Sequence, residues 1–234
     1  MRDVIIACDF SSAEETLNFL DQFKDVKPFV KIGMELYFAE GPDIVREIKR
    51  RGHKIFLDLK LHDIPNTVYR AMKNIGRLNV DMANVHASGT KKMMQEARRA
   101  LDETNPSTIL LAVTQLTSTS EEQMRQDLLI DHNINDVVLH YAKNAYEAGL
   151  QGVVCSPLEA DLIAKEFNGD FISVTPGIRF KESAKDDQTR ITTPYRAREI
   201  GSSYIVVGRP ITQAADPVSA YKRCVKEFVE GIEE

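Results

Sequence analysis

The chain has 234 residues, of which 43% are hydrophobic and 28% are charged, and its formal net charge is −5. This length and composition predict one soluble globular domain over residues 1–234. The acidic balance argues against nucleic acid as a partner, because nonspecific nucleic-acid binding needs a broad basic surface.

Short apolar runs alternate along the chain with amphipathic segments. The apolar runs predict eight strands, at residues 4–8, 28–33, 54–60, 82–86, 108–114, 152–155, 171–175 and 204–207. The amphipathic segments predict helices at residues 13–23, 42–51, 67–78, 91–101, 135–148, 158–167, 194–200 and 217–229. Eight strands that are each followed by a helix predict an α/β protein with a closed (βα)8 TIM barrel, and an open doubly wound sheet is the alternative.

Two of the connections after strands are longer than the usual few residues. One covers residues 115–133, and the other, rich in Lys, Asp, Ser and Thr, covers residues 177–193. Long polar loops at the C-terminal end of a barrel commonly serve as lids or substrate clamps, so we expect such a role here.

The third predicted strand carries charged residues in an otherwise apolar run. Asp58 and Lys60 are two residues apart, and Asp63 follows three residues later. Because strand side chains alternate between faces, Asp58 and Lys60 point the same way, and Leu57 and Leu59 point the other way. Charges in a buried strand are costly unless they pair, and this spacing lets them pair. We interpret the array as a lysine proton donor held between carboxylates.

Other predicted strands also end in polar residues that a barrel would bring together. Asp9 follows the first strand and Lys31 lies within the second. Active sites of such barrels are assembled from residues at the C-terminal ends of strands. One charge alone could be a solvated strand end, but the convergence of these two residues with Asp58 and Lys60 predicts a functional site.

The last two strand-to-helix connections are expected to bind a phosphate, because the loops after strands seven and eight form a common phosphate site in such barrels. Gly177 and Gly208 allow close approach of the backbone. Arg179 and Arg209 can each bind phosphate oxygens through two N–H groups. The alternative is two turn glycines beside ordinary surface arginines.

Asp63 is expected to lie outside the strand. Pro65 biases Ile64 towards an extended conformation and suits the first turn of the next helix, so Asp63 belongs to the intervening loop. There it could project outward towards a neighbouring subunit, or it could cap the helix N-terminus.

The cysteines and histidines point to neither a redox motif nor a metal site. Cys8, Cys155 and Cys224 form no C-x-x-C pair, and their odd number suits a reducing compartment. The five histidines show no H-x-H or H-x-x-x-H pairing, and His86 is either a site residue or a core histidine. Without a long apolar segment, we expect no signal peptide or membrane span and a cytoplasmic location.

These residues together resemble the signature of the orotidine 5′-phosphate decarboxylase family, in its compact bacterial form. The central match is Asp58-x-Lys60-x-x-Asp63-Ile64-Pro65-Asn66-Thr67. The resemblance covers nearly the whole chain and includes Cys8-Asp9, Val30-Lys31-Ile32-Gly33, Asn84-Val85-His86-Ala87, Leu116-Thr117-Ser118, Val153-Val154-Cys155-Ser156, Thr175-Pro176-Gly177-Ile178-Arg179 and Val207-Gly208-Arg209-Pro210-Ile211.

The resemblance implies a homodimer that converts the small-molecule nucleotide orotidine 5′-monophosphate to UMP and CO2, in pyrimidine biosynthesis, without cofactor or metal. It implies that Lys60 donates a proton to C6 of the pyrimidine and that Asp58 lies near the departing carboxylate. Lys31 would bridge Asp58 and the ribose. Asp63 of the partner subunit would complete a Lys-Asp-Lys-Asp array.

The resemblance also implies a set of substrate-binding residues. Asp9 and Thr67 would hold ribose hydroxyls, with Thr67 again supplied by the partner, and Thr117 would contact the pyrimidine edge. Pro176 belongs to the same set. The phosphate would be held by Arg179, Gln188, Gly208 and Arg209.

The chemistry of the charge array agrees with this reaction. Loss of CO2 from an sp2 carbon leaves a localised carbanion. Carboxylates around a lysine favour its ammonium form, which can stabilise that negative charge and then donate a proton.

Two other classes of protein remain as alternatives: a metal-assisted phosphosugar lyase or synthase on the same barrel, and a catalytically silent phosphoribosyl-binding barrel. Lys31 argues against the first, because an ammonium there would repel Mg2+. The intact charge array argues against the second. A Schiff-base aldolase using Lys60 would need a neutral amine, which neighbouring carboxylates disfavour.

Overall fold

The computed structural model describes residues 2–182 and 192–233. Within these residues the strands are β1 (Asp3–Ala7), β2 (Phe29–Gly33), β3 (Ile55–Leu61), β4 (Met82–His86), β5 (Ile109–Val113), β6 (Gly152–Val154), β7 (Ile172–Thr175) and β8 (Tyr204–Val207). The α-helices of the same ranges are α1 (Ala13–Leu20), α2 (Met34–Glu40), α3 (Pro42–Arg50), α4 (Pro65–Gly76), α5 (Thr90–Asp102), α6 (Glu121–Asp127), α7 (Ile134–Glu147), α8 (Ala160–Glu166), α9 (Pro194–Ile200), α10 (Arg209–Thr212) and α11 (Pro217–Val225).

The strands close into a parallel barrel. Each strand pairs with the next one in sequence, and β1 pairs with β8, with Asp3 opposite Tyr204 and Ile6 opposite Val207. This closed order confirms the predicted TIM barrel and excludes the open doubly wound sheet. Because all the strands are parallel, their C-terminal ends meet at one mouth of the barrel.

Strand alternation divides the core into an interior layer and an outer layer. Phe29 and Phe56 belong to the packed barrel interior, whereas Leu57 packs outward against the helices. Side chains two positions apart on a strand share a face. Lys31 and Asp58 therefore continue the interior rows of Phe29 and Phe56 towards the mouth. The apolar interior forms a floor beneath these charges.

In the described ranges, three α-helices lie where the sequence analysis predicted none: α2, α6 and α10. Helix α6 corrects the prediction of a long polar loop over residues 115–133, because it occupies Glu121–Asp127. Its N-cap Ser120 accepts a hydrogen bond from the Gln123 N–H, and the Gln123 side chain accepts one from the Ser120 N–H. This capping box stabilises a helix in which Met124 is the buried residue, so apolar periodicity could not reveal it.

The boundaries of the predicted elements also shift. Helix α1 ends at Leu20 rather than at residue 23, and α4 begins at Pro65, two residues before its predicted start. Proline suits this position because its missing N–H would have no partner within the helix. No helix in the described part of the chain combines the length and apolar character needed to cross a membrane.

Candidate active site

A cavity of about 570 Å³ opens at the C-terminal ends of the strands. Several predicted site residues line it: Asp9, Lys31, Asp58, Lys60, Thr117, Pro176, Arg179, Gly208 and Arg209. They come from strands and loops far apart in sequence, as the closed barrel requires. The cavity therefore brings the predicted charge array and the predicted phosphate-binding residues into one site.

The charges form a connected row. Lys31 Nζ lies 2.8 Å from Asp9 Oδ1 and 3.6 Å from Asp58 Oδ2. On the other side, Lys60 Nζ lies 2.7 Å from Asp58 Oδ1. Asp58 thus stands between two ammonium groups, and Lys31 stands between two carboxylates. The pairing predicted from the spacing of Asp58 and Lys60 is present.

The row holds its charges despite its burial. Burial opposes the charge on Lys31, but the carboxylates of Asp58 and Asp9 outweigh it and hold the pKa of Lys31 above its usual value. Burial likewise opposes the charge on Asp58, but the ammonium groups of Lys31 and Lys60 hold the pKa of that carboxyl below its usual value. Both groups are therefore ionised at neutral pH.

The backbone at Lys60 departs from regular strand geometry. The pairing of β3 with β4 shifts register between Leu57 and Leu61, and Lys60 within this irregular stretch has φ of +50°. Such a left-handed conformation is uncommon for a residue with a side chain. The sequence alternation predicted that Lys60 and Asp58 share a face, but it did not predict this bulge.

Asn84 is a site residue that sequence reasoning missed. It lies on β4, where its side-chain Nδ2 donates to Asp58 Oδ1 at 2.7 Å and its Oδ1 accepts from the Lys60 N–H at 2.8 Å. A polar amide inside an apolar strand was the available signal. Gln115, Ser118 and Gln213 were also not predicted, and they line the cavity.

The loop after β7 is tied at its base. The Arg179 N–H donates to the Thr192 carbonyl at 2.9 Å, and the Thr192 N–H donates to the Gly177 carbonyl at 3.0 Å. Gly177 has φ of +83°, a conformation that favours glycine. The Arg179 guanidinium is buried and donates to the Ile178 carbonyl at 2.8 Å. These contacts hold Arg179 at the cavity wall.

Two of the predicted site residues that the structure describes do not line the cavity. Asp63 and Thr67 are exposed and, among the described residues, are not part of its lining. The position of Ile64 at the N-cap of α4 shows that the interpretation of Asp63 as the cap is wrong; Asp63 Oδ1 instead accepts from the Ile64 N–H at 2.6 Å. Gln188 lies outside the described residues.

His86 and Cys8 lie beside residues of the charged row, since Lys60 acts on the charge of His86 and Cys8 precedes Asp9. His86 stacks on His62 with ring centroids 5.8 Å apart, and its Nδ1 lies 2.7 Å from Ser88 Oγ. Cys8 is buried in the outer layer of the core, and burial raises the pKa of its thiol to about 12. Across residues 2–182 and 192–233, no three His, Cys, Asp or Glu side chains group as metal ligands would.

Comparison with known proteins reveals a single family. The family model described as "Orotidine 5'-phosphate decarboxylase / HUMPS family" matches residues 2–224. The chain is 55% identical to orotidine 5′-phosphate decarboxylase of Staphylococcus aureus (strain Mu3 / ATCC 700698) over 228 residues, which cover 97% of this chain and 98% of that protein.

Two solved structures resemble the fold. The crystal structure of orotidine 5′-phosphate decarboxylase from Lactobacillus acidophilus is 42% identical, with a TM-score of 0.88, and the match covers 97% of this chain and 99% of that chain. The enzyme of the same name from Pyrococcus horikoshii OT3 is 23% identical with a TM-score of 0.76 over 97% and 99% of the two chains, and supports the fold alone.

Proposed function

The chain belongs to the orotidine 5′-phosphate decarboxylase / HUMPS family, and from this we infer that it decarboxylates orotidine 5′-monophosphate to UMP and CO2 in pyrimidine biosynthesis. The observation that carries the mechanism is the contact of Lys60 Nζ with Asp58 Oδ1 at 2.7 Å in the wall of the cavity. It supports a fixed ammonium beside a carboxylate at the reacting end of the substrate.

The chemical step is assigned to Lys60. Breaking the bond between C6 of the pyrimidine and the carboxylate releases CO2 and leaves the electron pair on C6. The Lys60 ammonium stabilises this developing charge and then transfers a proton from Nζ to C6. Asp58 faces the departing carboxylate and orients the ammonium. Since Lys60 supplies both the positive charge and the proton, the step needs no cofactor.

Lys31 and Asp9 are assigned to the ribose. The contact of Lys31 Nζ with Asp9 Oδ1 at 2.8 Å ties a carboxylate at the mouth to the buried end of the row. Asp9 accepts hydrogen bonds from ribose hydroxyls, and Lys31 bridges the ribose and Asp58. Thr117, on the cavity wall after β5, contacts the pyrimidine edge.

The phosphate is assigned to the loops after β7 and β8. Arg179 and Arg209 line the cavity together with Gly208, whose lack of a side chain lets an anion approach the backbone. Pro176 lines the same wall. Gln188 completes the phosphate-binding set by resemblance to the family.

A second copy of the chain is assigned the residues that this cavity lacks. Asp63 and Thr67 are exposed at the mouth end of β3 and α4. Two apolar side chains are also exposed: Phe38 of α2 is 76% exposed and Ile64 is 67% exposed. Phe38 follows β2 and Ile64 follows β3, and these two strands are paired neighbours in the barrel. A two-fold dimer would cover these apolar side chains and deliver Asp63 and Thr67 to the partner's site. Cys8, Cys155 and Cys224 are free thiols and form no disulfide with one another, which supports a reducing, cytoplasmic location.

The activity is tested by following orotate absorbance after adding purified protein to orotidine 5′-monophosphate in excess EDTA. We expect the absorbance to fall, with UMP and CO2 as products. A protein that leaves the substrate unchanged would contradict the assignment. Activity that EDTA abolishes would instead support the metal-assisted phosphosugar class.

A further inference from the structure

In the irregular part of β3, the backbone of Lys60 is not in regular register with β4. Pairing with β4 runs from Leu57 opposite Ala83 to Leu61 opposite Val85, so four steps along β3 face two steps along β4. Lys60 lies in this excess stretch with φ of +50°. A buried N–H in such a stretch needs an acceptor from elsewhere.

Asn84 provides that acceptor. Its Oδ1 lies 2.8 Å from the Lys60 backbone nitrogen. Asn84 is 1% exposed and is two residues after Met82, a member of the packed barrel interior, so its side chain continues that interior row towards the mouth. The amide thus fixes the bulged backbone from which the Lys60 side chain departs.

The other end of the same amide holds Asp58. Asn84 Nδ2 donates to Asp58 Oδ1 at 2.7 Å, and this oxygen also accepts from Lys60 Nζ at 2.7 Å. With Oδ1 fixed, Oδ2 turns towards Lys31, whose Nζ lies 3.6 Å away. One side chain therefore orients the carboxylate and the backbone of the lysine that it pairs with.

An asparagine meets both demands. The Lys60 N–H requires an acceptor, and the ionised Asp58 requires a donor. These two requirements assign the amide oxygen of Asn84 to the Lys60 side and the amide nitrogen to the Asp58 side. Leucine has a similar size and offers neither group. An ionised carboxylate offers the acceptor but no donor.

We propose that Asn84 is a positioning residue for the decarboxylation, and that its amide sets the mutual geometry of Asp58 and Lys60. Asn84 is not part of the cavity lining among the described residues, so it acts through these two residues and not on the substrate. The proposal rests on the reaction assigned above, but its tests compare variants within an active protein.

The first test is Asn84→Leu. We expect kcat to fall roughly 100-fold with little change in KM, because displacement of reacting groups by about 1 Å has effects of that size. The matched control is Thr108→Val, which removes the buried hydrogen bond from Thr108 Oγ1 to the Val80 carbonyl away from the cavity. This control should lower the Tm and leave kcat unchanged. A kcat of Asn84→Leu equal to that of the wild type would overturn the proposal.

The second test is Asn84→Asp, which keeps the size and the acceptor. The introduced carboxyl faces Asp58 and Lys60 on β3, and Lys31 lies beyond Asp58. His86 is on β4, the same strand as residue 84, and the neighbouring residues of β5 are apolar. When protonated, the introduced carboxyl donates to Asp58; when ionised, it repels it. Activity relative to wild type should therefore be highest at low pH and decline as pH rises.

This pH dependence separates positioning from a purely structural role. Circular dichroism at each pH verifies that Asn84→Asp remains folded. If the ratio of Asn84→Asp activity to wild-type activity does not change with pH, the proposal is overturned. This test holds even if Asn84→Leu does not fold. If the decarboxylase assignment itself were wrong, the wild type would show no turnover, which distinguishes the two failures.

Discussion

The ammonium of Lys60 lies 2.7 Å from the carboxylate of Asp58, although the two residues are only two positions apart on one strand. The spacing along the strand places both side chains on one face, where they can pair. Lys60 makes this contact from an irregular, left-handed backbone position in β3. The strand irregularity is therefore part of the site.

Lys60→Ala should lower kcat by more than roughly a thousandfold, because it removes both the proton donor and the charge that stabilises the carbanion. Circular dichroism should show an unchanged fold. Lys54→Ala serves as the control, since Lys54 is a half-exposed lysine just before the same strand, paired with Asp3 at 3.6 Å. Near-normal turnover by Lys60→Ala would refute the assignment of the proton donor.

Arg209→Ala should weaken binding of the phosphorylated substrate far more than binding of orotidine, which lacks the phosphate. We expect KM for orotidine 5′-monophosphate to rise roughly 100-fold, the effect of losing charge-assisted hydrogen bonds. Arg196→Ala is the control, because Arg196 is exposed on α9 and pairs with Glu199 at 3.0 Å. An equal loss with both substrates would show that Arg209 is not a phosphate ligand.

Mixing Asp63→Ala with Lys60→Ala chains should restore activity if Asp63 serves the partner's site. In a heterodimer one site receives both defects and the other receives neither, so activity should approach about half of the wild-type value per dimer. Each variant alone should be nearly inactive.

The control for this experiment mixes Asp58→Ala with Lys60→Ala. Both residues belong to the same cavity, so each site of that heterodimer keeps one defect and activity stays low. Labelled chains verify subunit exchange in both mixtures. No recovery in the Asp63→Ala mixture despite exchange would place Asp63 in the site of its own chain.

Lys31→Met should make stability more sensitive to acid. Asp58 has a lowered pKa in the folded protein, so it contributes stability above the usual carboxyl pKa and loses it as pH falls through the folded value. Without Lys31 the folded pKa of Asp58 rises, so this loss begins at a higher pH. At neutral pH we expect a loss of about 1–3 kcal/mol in unfolding free energy.

The Tm measured as a function of pH checks this expectation. Lys49→Met is the matched control, because it removes a half-buried pair with Asp81 outside the cavity, with Nζ 2.7 Å from Oδ2. The acid limb of the control should move less than that of Lys31→Met, because the Lys49–Asp81 pair is more exposed to solvent than the Lys31–Asp58 pair. If the acid limb of Lys31→Met follows that of the wild type, Lys31 does not hold the charge of Asp58.

Local patterns in the sequence predicted the barrel and most of the charged residues that line its cavity. The alternation around Asp58 placed it on the same face as Lys60, and the glycine–arginine pairs after β7 and β8 predicted a phosphate site. These signals are local, since strand alternation and turn chemistry depend on neighbouring residues. The sequence analysis did not predict helix α6, because a capping box and one buried methionine stabilise it rather than an apolar stripe.

Only the tertiary structure decided how the charges are held. The way in which β3 and β4 pair sets the register shift between them, the left-handed backbone of Lys60 and its contact with Asn84. The sequence of either strand alone does not specify this pairing register. The sequence by itself predicted which charged side chains converge at the mouth of the barrel. Packing of β4 against β3 decided which of their atoms meet, because hydrogen bonds depend on distances that periodicity does not specify.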